Sequence, residues 1–129
     1  MGKEVVICII IIIMVIVGNY LTQQYTIESI QIMTDGLSQL REELTKEEKE
    51  EKKIQEKTEN IKSDWMKMHD KLAYYIEHDE LEKVETDLVS LRGNITVKEY
   101  ETGVSELDKC VFVLEHIKDK QTLRLVNIF

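Results

Sequence analysis

The chain opens on an unbroken apolar run. Residues 5–17 read V-V-I-C-I-I-I-I-I-M-V-I-V, 13 positions without a polar side chain. Gly18, Asn19, Tyr20 and Leu21 extend it to 17 residues, about 25 Å as a helix at 1.5 Å per residue. That is the short end of what crosses a hydrocarbon core about 30 Å thick. Beyond residue 22 the pattern changes period. Apolar side chains fall at Ile30, Met33, Leu37, Leu40 and Leu44, spaced 3, 4, 3, 4, and the same register catches Ile54, Ile61, Trp65, Met68, Leu72 and Tyr75. Such spacing draws one stripe along a helix, as a bundle or coiled coil requires. Glu47 and Glu51 fall on the seam between the two stretches and interrupt it.

Helix boundaries are read from capping signals. Thr45 with Glu48 fits a capping box and places a break near Thr45; Asp79 with Glu82 and Thr96 with Glu99 make two more. After the second box Leu81, Val84, Leu88 and Leu91 repeat at helical spacing, and Gly93 follows Arg92, the pairing expected where a helix stops on a left-handed residue. After the third come Val97, Tyr100, Val104, Leu107, Val111 and Leu114. The run from Cys110 through Val111, Phe112 and Val113 to Leu114 is apolar all round, which gives the last helix neighbours on more than one side. Leu123, Leu125, Ile128 and Phe129 form an apolar tail that a bundle groove would cover. The pattern thus predicts an all-α chain: an N-terminal transmembrane helix followed by an antiparallel helical bundle of three to four helices. Residues 1–21 are the anchor and residues 22–129 the bundle domain, with residues 41–60 its charge-rich segment.

Composition sharpens this picture. Zero prolines, five glycines and 33% charged residues suit helices better than a turn-rich sheet. Against 25 Asp and Glu stand 17 Lys and Arg, a net charge of −8, and an acidic surface is the wrong sign for nucleic acid. Residues 41–60 hold 6 basic and 8 acidic side chains, the composition of a solvated helix or connection. Only Gly18 is small where a signal peptidase would cut, so an uncleaved signal anchor is favoured over a cleaved peptide. Lys3 flanks the run on one side, while residues 22–41 carry one basic residue, Arg41. Positive-inside reasoning then places the N-terminus in the cytoplasm and the bundle outside, in a single-pass cell-membrane protein held in the bilayer by residues 5–21.

Candidate chemistry is sparse. Cys8 lies in the apolar run and Cys110 in the last helix, two small apolar fillers rather than a redox pair. His69, His78 and His116 have acidic neighbours, but no two stand at the i, i+4 spacing that puts two imidazoles on one helix face. His78, beside a helix end, reads as a capping or dipole residue. Asp64 beside Trp65, and Tyr74 beside Tyr75, hint at a pocket; aromatics at helical spacing are more often core. Asn94-Ile95-Thr96 matches a glycosylation sequon. No nucleophile motif and no glycine-rich phosphate loop occurs. The expectation is no catalytic, cofactor-binding or metal-ligating residue, and no enzyme.

From Trp65 onward, the stretch Tyr75-Ile76-Glu77-His78-Asp79-Glu80, then Leu114-Glu115-His116-Ile117, and the ending Asn127-Ile128-Phe129 carry a resemblance. The sequence resembles a family of small single-anchor membrane proteins of Gram-positive spore-forming bacteria, known as a domain of unknown function. That resemblance implies an N-terminal anchor, a helical body and a membrane partner, and it carries over no active-site residue. The leading functional expectation is a membrane-anchored, extracytoplasmic interaction module for another membrane or envelope protein. The alternatives are a coiled-coil spacer of the division- or lysis-protein kind, self-associating along the seam from Ile30 to Tyr75, and a ligand-sensing bundle acting through a membrane partner.

Overall fold

A computed structural model describes residues 2–128 of the chain, with side chains as far as residue 123. Four helices follow one another: α1 (Gly2–Thr45), α2 (Glu51–Leu72), α3 (His78–Thr96) and α4 (Tyr100–Ile128), with no strand among the described residues. The apolar run and the first seam lie on one unbroken helix of 44 residues. Nothing in the sequence between them interrupts a helix, since there is no proline. The environment nevertheless changes along α1: residues 2–18 are exposed, and from Thr22 onward the side chains begin to be covered.

That cover comes from α2 and α4, which pack on α1, while α3 lies against α4 and more lightly against α2. Partner residues run in opposite order along each pair. Along α1, Gly36 meets Ile61 of α2 and Thr26 meets Tyr75 in the turn that follows α2. On α1 and α4, Arg41 pairs with Asp108, and Leu44 shares a cavity with Val104. On α3 and α4, Glu80 pairs with Lys120 and Leu91 meets Gly103. Gly36 is a close-approach point: a Cβ there would stand 3.2 Å from Ile61 Cγ1, tighter than ordinary contact, so the Ile61 side chain would have to give way.

The stripes read from the sequence form the core. Ile30, Met33, Leu37, Leu40 and Leu44 on α1 are at most 2% exposed, and Ile54, Ile61, Trp65, Met68 and Leu72 on α2 are buried with them. Leu81, Val84, Leu88 and Leu91 complete the α3 face. On α4 the stripe is offset from the one expected. Gly103, Leu107, Cys110, Leu114 and Ile117 are buried, whereas Val104 and Val111 are half-buried and Val97 is exposed. The reason is that α4 faces both α1 and α3, so its buried strip is wide and centred between the two. Phe112, in the middle of the run read as apolar all round, points to solvent at 74% exposure.

The break near Thr45 is present, but the capping boxes are not its cause. Thr45 ends α1, its hydroxyl donating back to the Arg41 carbonyl at 3.0 Å, and α2 starts after an extended Glu50 that makes no side-chain cap. Thr96 likewise ends α3, donating to the Arg92 carbonyl at 2.9 Å. Asp79 lies inside the first turn of α3, whose N-cap is Glu77, so its carboxylate complements the helix dipole instead of capping. Gly93 does not stop α3 either. The helix continues to Thr96, and the left-handed residue is Lys98, with φ 62°. Of the apolar tail, Leu123 is exposed; the side chains of Leu125, Ile128 and Phe129 lie outside the described residues.

Candidate functional site

The α2–α3 turn gathers the strongest polar cluster. Glu80, in the first turn of α3, is 8% exposed, a burial that a carboxylate tolerates only when paired. The Lys120 ammonium on α4 donates to Glu80 Oε1 at 3.1 Å and to Glu77 Oε1 at 3.0 Å, and His116 Nε2 stands 4.0 Å from Glu80 Oε1. These two carboxylates hold the Lys120 amine above its ordinary value. Lys120 lies 40 residues from Glu80 and joins the cluster only because α4 runs back along α3. The sequence reading missed it, since no local signal separates it from the other lysines.

His69 belongs to a second cluster, which ties α2 to α3. Its Nε2 is 3.0 Å from Glu85 Oε1, its ring meets Trp65 edge-on at 5.6 Å, and Trp65 Nε1 donates to the same Glu85 oxygen at 3.4 Å. His78 is exposed, 3.9 Å from Glu82. The three histidines thus face three different carboxylates, and no group of three or more His, Cys, Asp or Glu among the described residues could hold a metal ion.

Trp65 is core, as its spacing suggested. Tyr75 is half-buried, its hydroxyl 2.8 Å from Thr26 Oγ1, and burial pushes its phenol upward. Tyr74 departs from the core reading, being 89% exposed at the apex of the turn.

On the outer side, α3 and α4 enclose an open groove of about 660 Å³, lined by Asp79, Glu82, Lys83, Thr86, Asp87, Lys109, Phe112 and Val113. Phe112 is its large apolar side chain and the rest of its wall is mostly charged. Cys110, on α4, is buried. Burial, with a smaller contribution from Asp87, pushes its thiol up to about 12, so it is protonated and unreactive at neutral pH. Cys8 is exposed on the apolar part of α1.

Each carboxylate and imidazole in the clusters is tied to a charged or ring partner of another helix. The arrangement ties α2 to α3 and α3 to α4. On the surface, the exposed Phe112 ring stands in a groove lined mostly by charged residues. No curated protein and no solved structure matches the chain. A family model does, and it spans the second half of α1 and all of α2, α3 and α4: matched over residues 20–128, the chain belongs to the family DUF4363, a domain of unknown function.

Proposed function

We propose that this is a single-anchor membrane protein whose residues 5–21 cross the bilayer, N-terminus in the cytoplasm, and whose helical body is an extracytoplasmic interaction module without catalytic activity. The observation that carries the reading is the contrast along α1. Its apolar window has a mean hydropathy of 2.8 and is 0% buried, whereas its seam from Ile30 to Leu44 is fully covered by α2 and α4. An exposed apolar stretch of this length needs a non-aqueous surrounding, and a bilayer supplies one. The covered seam argues against the spacer reading, because a parallel coiled coil between chains would need those side chains free.

What remains for a partner is the outer surface, and the groove around Phe112 is its most distinctive part. An exposed aromatic bordered by charges of both signs has the makeup of an interface anchor with a polar rim. A photo-crosslinking residue placed at Phe112 of the full chain in native membranes should give one discrete adduct with another membrane or envelope protein. The same group at Ser38, exposed on α1, should not. Absence of any protein adduct at Phe112 would refute the interaction role.

A further inference from the structure

The tyrosines are unevenly placed. Tyr20 lies at the end of the apolar stretch itself and Tyr25, Tyr74 and Tyr75 at the end of the bundle nearest it, so of the five only Tyr100 lies at the other end. Their height above that stretch is fixed by contact. Tyr75 is bonded to Thr26 and the Lys71 ammonium sits 5.3 Å from the centre of the Tyr25 ring. Both α1 residues are within five positions of Leu21 on the same unbroken helix.

The distance follows from helical rise. An apolar span of about 25 Å centred in a core of about 30 Å leaves Leu21 roughly 2–3 Å short of the hydrocarbon boundary. Thr26, about 7.5 Å further along the axis, then stands about 5 Å outside that boundary. The headgroup layer on each side is roughly 5–7 Å deep. Any tilt of α1 lowers the turn further.

Helix α4 reaches the same level independently. Asp108 pairs with Arg41, so 15 residues further along α4 comes Leu123, opposite a point 15 residues back along α1, which is Thr26. Leu123 is 62% exposed and Tyr74 is 89% exposed. Two exposed apolar or aromatic side chains from separate elements thus share one plane with a lysine beside a tyrosine. Tyrosine is the side chain that prefers the headgroup layer, because its ring is apolar and its hydroxyl wet.

We infer that the α2–α3 turn and the adjoining part of α4 form a lipid-contacting surface, in which Tyr74 and Leu123 rest in the headgroup layer and seat the bundle directly on the bilayer. The partner is the lipid surface itself. This rests on the anchored reading of residues 5–21 and holds for either orientation of the chain.

Site-directed spin labelling tests it on the full chain in phosphatidylcholine vesicles. Cys8→Ser removes the exposed thiol, and Cys110, buried and protonated, does not label. Single labels then go in at Leu21→Cys, Tyr74→Cys and Val97→Cys, the last being 64% exposed at the opposite end of the bundle. The expected ratio of oxygen to water-soluble nickel collisions is several-fold higher at position 74 than at 97, and highest at 21. A label at 74 that behaves like the one at 97, while 21 reports lipid, overturns the seated surface and leaves the anchor standing. Water-like behaviour at 21 as well overturns both. Low collision with either reagent at 74 means a protein covers the turn, which also overturns it.

Discussion

Asp87 and Glu43 are two covered acids whose surroundings act in opposite directions. The Glu43 side chain is 8% exposed, and the hydrogen bond from Lys46 at 3.0 Å outweighs burial to hold its carboxyl below the ordinary 4.5. Asp87 has no such bond. Burial, followed by the Glu106 carboxylate, raises it above the ordinary 3.8 despite Lys109. The signs follow from proton linkage. Glu43 contributes stability that is present above 4.5 and is lost as pH falls through its depressed folded-state value. The folded chain binds the Asp87 proton more tightly than the unfolded one, so Asp87 costs stability at neutral pH, and this cost fades as pH falls through the raised folded-state value and is gone below 3.8. Asp87→Asn should therefore stabilise the chain by roughly 0.5 kcal/mol at neutral pH, the scale of a like-charge contact between helical side chains. The gain should vanish near about pH 3, where both chains are uncharged at that position. Urea midpoints of the two chains in detergent at the two pH values check this, and a gain equal at both would contradict it. Comparing the variant with the parent at each pH cancels the opposing contribution of Glu43.

At the scale of the element, Gly93 separates two accounts of α3. If it closed the helix in a left-handed conformation, alanine there would be strained. In the structure it is an interior helical residue with open space where a Cβ would go, and α3 continues to Thr96. Gly93→Ala should then stabilise by about 0.5–1 kcal/mol, because glycine loses more backbone freedom on entering a helix. A thermal melt followed by circular dichroism gives the sign, and a lowered midpoint would restore the stop at Gly93. The contrast shows which signals the sequence carries clearly. The seam of α1, from Ile30 to Leu44, is visible because burial against two neighbours enforces a period that a few residues already reveal. The ends are not. Thr45 and Thr96 can donate back to a carbonyl four residues earlier as readily as they can cap the next helix, and the structure takes the first option. Lys98 gave no warning, since a left-handed lysine has no sequence signature. The pairing of Glu80 with Lys120 depends on the register of α3 against α4, and the α4 register was itself read off-centre, through Val104 and Val111 instead of Cys110 and Ile117.

For the whole molecule, the decisive question is whether the core is closed within one chain. The stripe on α1 is covered by α2 and α4, and α3 closes the other side through α4 and α2. Met33, Leu37, Leu40, Ile54, Val84, Leu107, Cys110 and Leu114 are each no more than 1% exposed without a second chain present. A seam serving an intermolecular coiled coil would instead leave one face of α1 or α2 open, and the exposed apolar residues there are scattered: Ile32 on α1 and Met66 on α2. Among the described residues, the contiguous exposed apolar surface belongs to the segment that ends at Leu21. Cutting the chain after that point should consequently remove the reason for association and leave the core intact. Residues 22–129 are expected to sediment as a compact monomer whose helical content matches the remaining parts of the four helices. An elongated dimer would mean that the stripe from Ile30 to Tyr75 prefers a second copy to its own α4, and the spacer reading would then take over. The same experiment carries a control in Leu37→Ala, which opens a cavity in the centre of the α1 stripe. In a single-chain core this should destabilise the monomer by about 2–5 kcal/mol without changing its mass, whereas in a coiled-coil dimer it would make the sedimenting mass depend on concentration.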